Sequence, residues 1–161
     1  MIVQKVLNNS LVLSMDDDNR EVIVMGKGIG FNSRPGDAIA PEKIEKLFVT
    51  QALGARSGYL EALSAIPDEV IEMAAMIISR ANMQLASKVR EQIFFTLADH
   101  LTFAIERSRK GIAIQNRLLP EVRRFYPQQF RVASEAVTII RQQYGIELPE
   151  EEAGNIAFHL V

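Results

Sequence analysis

The spacing of apolar residues changes once along this chain, near residue 57, and that change limits the folds it can adopt. Before it, short β-rich runs alternate with polar turns; after it, apolar residues recur every three or four positions. The first pattern predicts strands and the second predicts amphipathic helices. We therefore expect an α+β chain, with a small four-stranded antiparallel β-domain at residues 1–56 and an all-α helical bundle at residues 57–161.

Four strands are predicted in the first part. Three are the runs 2–7, 11–15 and 21–25, and a short fourth is expected at 38–40, followed by a helical turn at 41–46. Asn, Asp, Ser, Pro and Gly separate these runs, as turn residues do. Because a domain of roughly 55 residues buries little core by itself, we expect this part to form a two-fold homodimer.

Helical spacing dominates the second part. Apolar residues at 70–81, 93–104 and 130–144 predict three helices, the first opened by Pro67-Asp68 and the third closed by Gly145. A short element lies between Pro120 and Pro127, and three glutamates after Pro149 open a last helix. This helix stays apolar to Val161 without a capping glycine. Either its end frays or the chain is a fragment, and we favour the fragment.

Composition excludes several classes of protein. The chain has no cysteine, which rules out disulfides and thiolate metal sites and suits a reducing compartment. No apolar run reaches the roughly 18 residues of a membrane span, and the N-terminus lacks the features of a signal peptide. We expect a cytoplasmic protein without membrane insertion. The net charge of −2 does not indicate a polyanion partner, although a local patch matters more than the total.

The segment EVIVMGKGIGFNSRPGD, residues 21–37, ends a strand in three closely spaced glycines. It lacks the spacing of a phosphate-binding Walker loop and the third glycine of the dinucleotide fingerprint. A bulged hairpin turn is the plainer interpretation. The alternative is a surface that reads RNA, in which Gly26 and Gly28 allow close approach, Lys27 contacts phosphate and Phe31 stacks on a base.

The turn Asn8-Asn9-Ser10 adds support to the RNA interpretation. Amides and hydroxyls can bind base edges and 2′-hydroxyls, and Lys5 supplies a cation nearby. Two successive asparagines are also ordinary in a turn. The two interpretations stay open on the residues alone.

The two histidines, His100 and His159, do not form a legible catalytic or metal site. A lone histidine in a helix is more often packed or exposed than functional, and a zinc site needs more ligands. Asp99 does not face His100, because adjacent residues on a helix point apart. With no nucleophile or base pattern we expect neither an enzyme nor a cofactor. The charged stretches at 106–110 and 121–124 are interpreted as solvated helix ends.

Several motifs together resemble the BglG/LicT-type bacterial transcriptional antiterminators. MIVQKVLNNSLVLSM and EVIVMGKGIGF resemble the RNA-binding co-antiterminator domain of that family. Asp99-His100, Asn116-Arg117-Leu118-Leu119 and LPEEEAGNIAFHL at 148–160 resemble the phosphotransferase-system regulation domain that follows it. Position 10 is often asparagine in the family and is serine here; position 27 is often arginine and is lysine here.

The resemblance implies a dimer that grips an RNA hairpin in a leader transcript and so prevents terminator formation in a carbohydrate operon. Eight residues would contact RNA: Lys5, Asn8, Asn9, Ser10, Gly26, Lys27, Gly28 and Phe31. His100 and His159 would be phosphorylated by phosphotransferase-system proteins, namely HPr and a sugar permease enzyme II. Relatives carry a second regulation domain after the first. The alternative is a phosphorylation-dependent regulator that acts on protein partners without RNA; RNA binding by residues 1–56 would distinguish the two.

Overall fold

The computed structural model describes residues 1–53 and 58–161, which form two compact units, Met1–Asp68 and Glu69–Val161. The first contains a four-stranded antiparallel sheet and the second is helical. The predicted α+β class is therefore confirmed. The predicted change of pattern near residue 57 falls on residues 54–57, which lie outside the described residues.

The sheet has the order of a meander, with every neighbouring pair antiparallel. Its strands are β1 (Lys5–Val6), β2 (Leu11–Met15), β3 (Glu21–Met25) and β4 (Lys46–Val49). The prediction of a fourth strand at 38–40 is wrong, since Ala38 makes only an isolated bridge to Ile2. Pro41 follows at once with no backbone N–H to extend a ladder, and residues Pro41–Lys43 form a 3-10 turn.

Both faces of the two central strands are buried. Val12, Val22 and Val24 lie on one face and pack with Val3, Ile29 and Ile39. The register puts Leu11, Leu13, Ile23, Met25 and Phe48 on the opposite face, and these are also buried. Burial on both sides explains why β2 and β3 read as nearly continuous apolar runs rather than as strict alternation.

Six helices complete the described chain. They are α1 (Tyr59–Ser64), α2 (Asp68–Gln84), α3 (Ile93–Arg109), α4 (Leu119–Phe125), α5 (Pro127–Tyr144) and α6 (Glu150–His159). The helices α2, α3, α5 and α6 were predicted, and α4 coincides with the short element expected between Pro120 and Pro127. Gly145 ends α5 with a φ of +67°, a left-handed conformation that glycine adopts without a steric penalty.

The core of the second unit is built from the apolar faces of these helices. Met73, Ile77, Leu97, Leu101, Ile140 and Ile156 have no exposed surface. Each lies in a run with helical spacing, which is why the sequence identified the elements correctly. Within residues 1–53 and 58–161, no helix combines the length and the apolar character that crossing a bilayer requires.

Candidate functional site

Asn8 organises the turn between β1 and β2 from within. Its Oδ1 accepts hydrogen bonds from the backbone N–H groups of Ser10 and Leu11, both at 2.9 Å. Its Nδ2 donates to the carbonyls of Leu63 and Ile66, at 3.2 and 3.3 Å. Asparagine is favoured in turns because its side chain can bond to its own backbone. The side chain of Asn8 therefore holds the turn closed and attaches it to the end of α1.

The two following residues both bond to Asp68, the first residue of α2. Ser10 Oγ donates to Asp68 Oδ1 at 3.0 Å, and Asn9 Nδ2 donates to Asp68 Oδ2 at 3.3 Å. Ser10 is buried, with 7% of its surface exposed, whereas Asn9 is exposed. Of the three predicted contacts in this turn, Asn9 is the one placed to meet a ligand directly.

The glycine segment lies directly beside this turn. Gly26 N–H donates to the carbonyl of Ser10 at 3.0 Å, and Gly30 N–H donates to the carbonyl of Asn9 at 2.9 Å. Further backbone bonds fold the segment on itself, including one from Phe31 N–H to the carbonyl of Gly28 at 3.1 Å. The structure thus brings together the two segments that the sequence had singled out separately.

The fold of the segment itself requires glycine at positions 26, 28 and 30. A Cβ at Gly26 would lie 2.0 Å from the carbonyl oxygen of Lys43, and one at Gly30 would lie 1.9 Å from that of Asn8. Gly28 has open space around it but a φ of +68°, which is costly for residues with a side chain. At positions 26 and 30 the close approach is therefore made by the chain's own backbone.

Two side chains project from this folded segment. Phe31 is 63% exposed, although large apolar side chains are usually buried. Lys27 is exposed, and among the described residues its ammonium forms no ion pair. We call Asn9, Lys27 and Phe31 the turn surface. It offers an amide, a free cation and an aromatic face, the groups that bind single-stranded nucleic acid. Lys5 is exposed in β1, opposite Leu13.

Substitutions at Asn8 and Asn9 should separate structure from binding. Asn8→Ala removes four hydrogen bonds and is expected to destabilise the first unit by about 2 kcal/mol. Asn9→Ala removes one long, exposed bond, so it is expected to change stability little and to reduce the RNA binding that the sequence predicts for this turn. Urea unfolding and RNA titration of both variants measure this. Equal losses of stability would contradict the assignment.

The second candidate site is a pair of histidines in the helical unit. His100 lies on α3 and His159 ends α6, and their ring centroids are 5.1 Å apart. His100 Nε2 lies 2.8 Å from Glu152 Oε2, and Arg107 donates to Glu152 Oε1 at 2.9 Å. Glu152 is 2% exposed. One buried carboxylate thus connects a histidine and an arginine of α3 to α6.

The ring of His159 is fixed by its own helix. Nδ1–H donates to the carbonyl of Asn155 at 2.9 Å. Burial lowers the pKa of His159, the bond to Asn155 opposes this, and the proximity of His100 lowers it further, leaving a net downward shift. The ring is therefore neutral at pH 7, the form in which an imidazole has a lone pair free for reaction.

Asn116 holds α6 from the segment before α4. Its Nδ2 donates to Asn155 Oδ1 at 3.0 Å, and its Oδ1 accepts from the backbone N–H of Leu118 at 3.0 Å. Gly154 leaves room for it, since a Cβ there would lie 2.8 Å from Asn116 Nδ2. The asparagine and the glycine of the two sequence motifs therefore fit against each other, next to the residue that fixes His159.

Because of Glu152, the free energy of unfolding of the helical unit should depend on pH. Burial raises the pKa of Glu152, but hydrogen bonds from His100 and Arg107 and their charges outweigh it, so the pKa lies below its usual 4.5. A lowered folded-state pKa stabilises the fold above the unfolded pKa, and this contribution is lost as the pH falls through the folded-state pKa. We expect Glu152→Gln to cost about 2 kcal/mol at pH 7 and progressively less below pH 4.5.

Unfolding free energies of the native chain and Glu152→Gln, measured from pH 7 to pH 3, test this expectation. A difference that stayed constant across the range would contradict it. Glu151→Gln is the matched control, because it removes the same charge from the preceding residue, which is only half buried.

The sequence analysis did not identify Arg107 and Glu152 as site residues. It interpreted residues 106–110 as a solvated helix end, which is wrong for Arg107 because this side chain bonds to the buried Glu152. A signal was present: Arg107 follows His100 by seven residues, and His159 follows Glu152 by seven. Residues seven apart share a helix face. Each histidine therefore has a charged neighbour on its own face, and only the packing of α3 against α6 shows that these neighbours meet.

Two protein families match separate parts of the chain. Residues 1–54 match the family described as CAT RNA binding domain, and residues 75–161 match the PRD domain family. The beta-glucoside operon antiterminator of Dickeya chrysanthemi is 42% identical over 161 residues, covering all of this chain and 57% of that protein. Transcription antiterminator LicT of Bacillus subtilis (strain 168) is 37% identical, covering all of this chain and 58% of LicT.

A solved structure shows the same fold. The crystal structure of GlcT CAT-PRDI superposes with a TM-score of 0.81 at 28% identity, covering 99% of this chain and 95% of that one. The chain spans less than two thirds of the length of the curated relatives it matches. The resemblance noted from the motifs is confirmed: this chain belongs to the BglG/LicT-type transcriptional antiterminator family, with a CAT RNA binding domain at residues 1–54 and a PRD domain at residues 75–161.

Proposed function

We propose that this protein is a cytoplasmic transcriptional antiterminator. It binds an RNA hairpin in a leader transcript as a homodimer, prevents the terminator from forming, and is controlled by histidine phosphorylation from the sugar phosphotransferase system. The observation that carries this proposal is the turn surface, which presents an exposed aromatic and a cation that forms no ion pair within residues 1–53 and 58–161, in the part of the chain that matches an RNA-binding family.

The chemistry of the turn surface favours RNA over a protein partner. The 63% exposed ring of Phe31 stands on a segment fixed by backbone bonds, so little conformational entropy is lost when a base stacks on it. Lys27 supplies a phosphate contact as a point charge, without the bidentate geometry of arginine. Gly26, Gly28 and Asn8 contribute by shaping this surface, and Ser10 contributes through its bond to Asp68.

Phosphorylation of His100 and His159 provides the control in this proposal. A phosphoryl group adds close to two negative charges, and at His100 these would lie near the buried carboxylate of Glu152. The added charge would therefore act on the link between α3 and α6, in which His100 and Arg107 both bond to Glu152. HPr and a sugar permease enzyme II are the proposed phosphodonors.

An RNA titration of the whole chain tests the function. The probe is the leader hairpin upstream of the neighbouring transporter gene, with the same RNA carrying a disrupted stem as the control. We expect binding that weakens steeply with salt, because phosphate contacts release counterions, and sedimentation of the complex as two chains per hairpin. Equal binding of the two RNAs, or none, would reject the RNA function and favour a regulator that acts through protein partners alone.

A further inference from the structure

The hydrogen bond between His100 and Glu152 determines which nitrogen of His100 carries a proton. An ionised carboxylate can only accept, so the contact of 2.8 Å requires a proton on Nε2. In the neutral ring the lone pair is then on Nδ1. Within the described part of the chain, Nδ1 of His100 has no hydrogen-bond partner, and 20% of the side chain is exposed.

The same reasoning gives the opposite result for His159. Its Nδ1 lies 2.9 Å from the backbone carbonyl of Asn155, and a carbonyl oxygen is also only an acceptor. The proton is therefore on Nδ1 and the lone pair on Nε2, which has no hydrogen-bond partner among residues 1–53 and 58–161. The two rings, 5.1 Å apart, are held in opposite tautomers.

We propose that His100 is phosphorylated on Nδ1 and His159 on Nε2, so that one site carries both isomers of phosphohistidine. This inference rests on the proposed function for the modification itself and adds the position of the new bond. Each isomer follows from a single acceptor, the carboxylate of Glu152 for His100 and the carbonyl of Asn155 for His159.

The transfer step balances with a phosphohistidine of a carrier protein as donor. The lone pair on Nδ1 of His100 attacks phosphorus, and the P–N bond of the donor breaks. The donor ring carries a proton on its other nitrogen, so it leaves as neutral imidazole when the electron pair of that bond returns to it. The modified His100 ring keeps its proton on Nε2 and becomes positively charged, and the carboxylate of Glu152 stabilises that charge. At His159 the same step uses Nε2, with the Nδ1 proton held by Asn155.

Glu152 is a positioning residue in this scheme, and its amide variant should change the tautomer of His100. In Glu152→Gln, Arg107 can only donate, so it takes the amide oxygen. The amide N–H then points to Nε2 of His100, which must accept, and the proton moves to Nδ1. We expect the Nδ1 isomer at His100 to be lost in this variant, with the Nε2 isomer at His159 unchanged.

The test uses the whole chain and two phosphodonors, potassium phosphoramidate and phosphorylated HPr, with ³¹P NMR to distinguish the isomers. His100→Ala and His159→Ala assign each signal to its residue, and Glu151→Gln is the matched control for Glu152→Gln. We expect phosphoramidate to give the Nδ1 isomer at His100 and the Nε2 isomer at His159. The same isomer at both residues, or no modification of either, would overturn the inference.

The reaction with phosphorylated HPr distinguishes a failure of this inference from a failure of the proposed function. If phosphoramidate gives the two expected isomers and HPr transfers nothing, the control by HPr fails while the assignment of the nitrogens is supported. A readout without any donor is also available, because ¹⁵N shifts of the imidazole nitrogens report the tautomer of each unmodified ring. Opposite tautomers support the inference; identical tautomers would reject it even if Glu152→Gln does not fold.

Discussion

Replacing Phe31 by alanine is expected to weaken hairpin binding about fivefold to a hundredfold without changing stability. Base–aromatic stacking contributes about 1–3 kcal/mol per base, and each 1.4 kcal/mol is about a factor of ten in affinity. The ring is 63% exposed, so its removal takes little apolar surface out of the core. Titration of the native chain and the variant with the same leader hairpin measures the ratio directly.

Phe125→Ala is the matched control for this experiment. Phe125 is 64% exposed, almost the same as Phe31, but lies on α4 in the helical unit. It should leave RNA affinity unchanged. If the two variants lost affinity equally, or neither lost any, the turn surface would not be the place where RNA binds. In the same assay, Lys27→Ala should make the slope of log affinity against log salt concentration less steep by about one, the change expected for the loss of one phosphate contact.

The second large effect is expected at Gly30. Gly30→Ala would place a methyl group 1.9 Å from the carbonyl oxygen of Asn8, and backbone on both sides of this contact must move to relieve it. Such overpacking costs about 3 kcal/mol. We expect this loss in the stability of the sheet, measured by hydrogen exchange of the amides of β2 and β3, together with loss of RNA binding.

Gly28→Ala distinguishes this clash from a general intolerance of the segment. A methyl group at Gly28 meets nothing within 4 Å, and only its φ of +68° is unfavourable, which costs about 1 kcal/mol. The loss at position 30 should therefore be clearly larger than the loss at position 28. Equal losses would show that the segment relaxes around the added methyl group.

The fold was largely predictable because both periodicities are strong. The central strands and the four longest helices follow local patterns that do not depend on distant residues. The fourth strand was misplaced because 38–40 and 46–49 are both short, and the choice between them depends on which run reaches β3. Short apolar runs do not specify their partner, so tertiary contacts decide.

The sequence predicted many of the residues that belong to the candidate sites but not which atoms those residues contact. Sequence reasoning selected Asn8, Asn9 and Ser10 together because they share turn chemistry. The structure separates them: Asn8 and Ser10 bond inward, and Asn9 is exposed. The link between His100 and Glu152 joins residues 52 positions apart, and the tautomers follow from that link. A local sequence pattern cannot show a contact between residues so far apart in the chain.

The contacts of Asp68 have a consequence for how the turn meets its ligand. Its carboxylate accepts from both Asn9 and Ser10, the kind of oxygen pair that a nucleotide backbone would present to the same donors. The carboxylate of Asp68 therefore occupies donors that a phosphodiester could otherwise bind. Under the proposed function, an RNA phosphate that bonds to Asn9 Nδ2 must first displace the carboxylate of Asp68, whereas the hydroxyl of Ser10 stays buried.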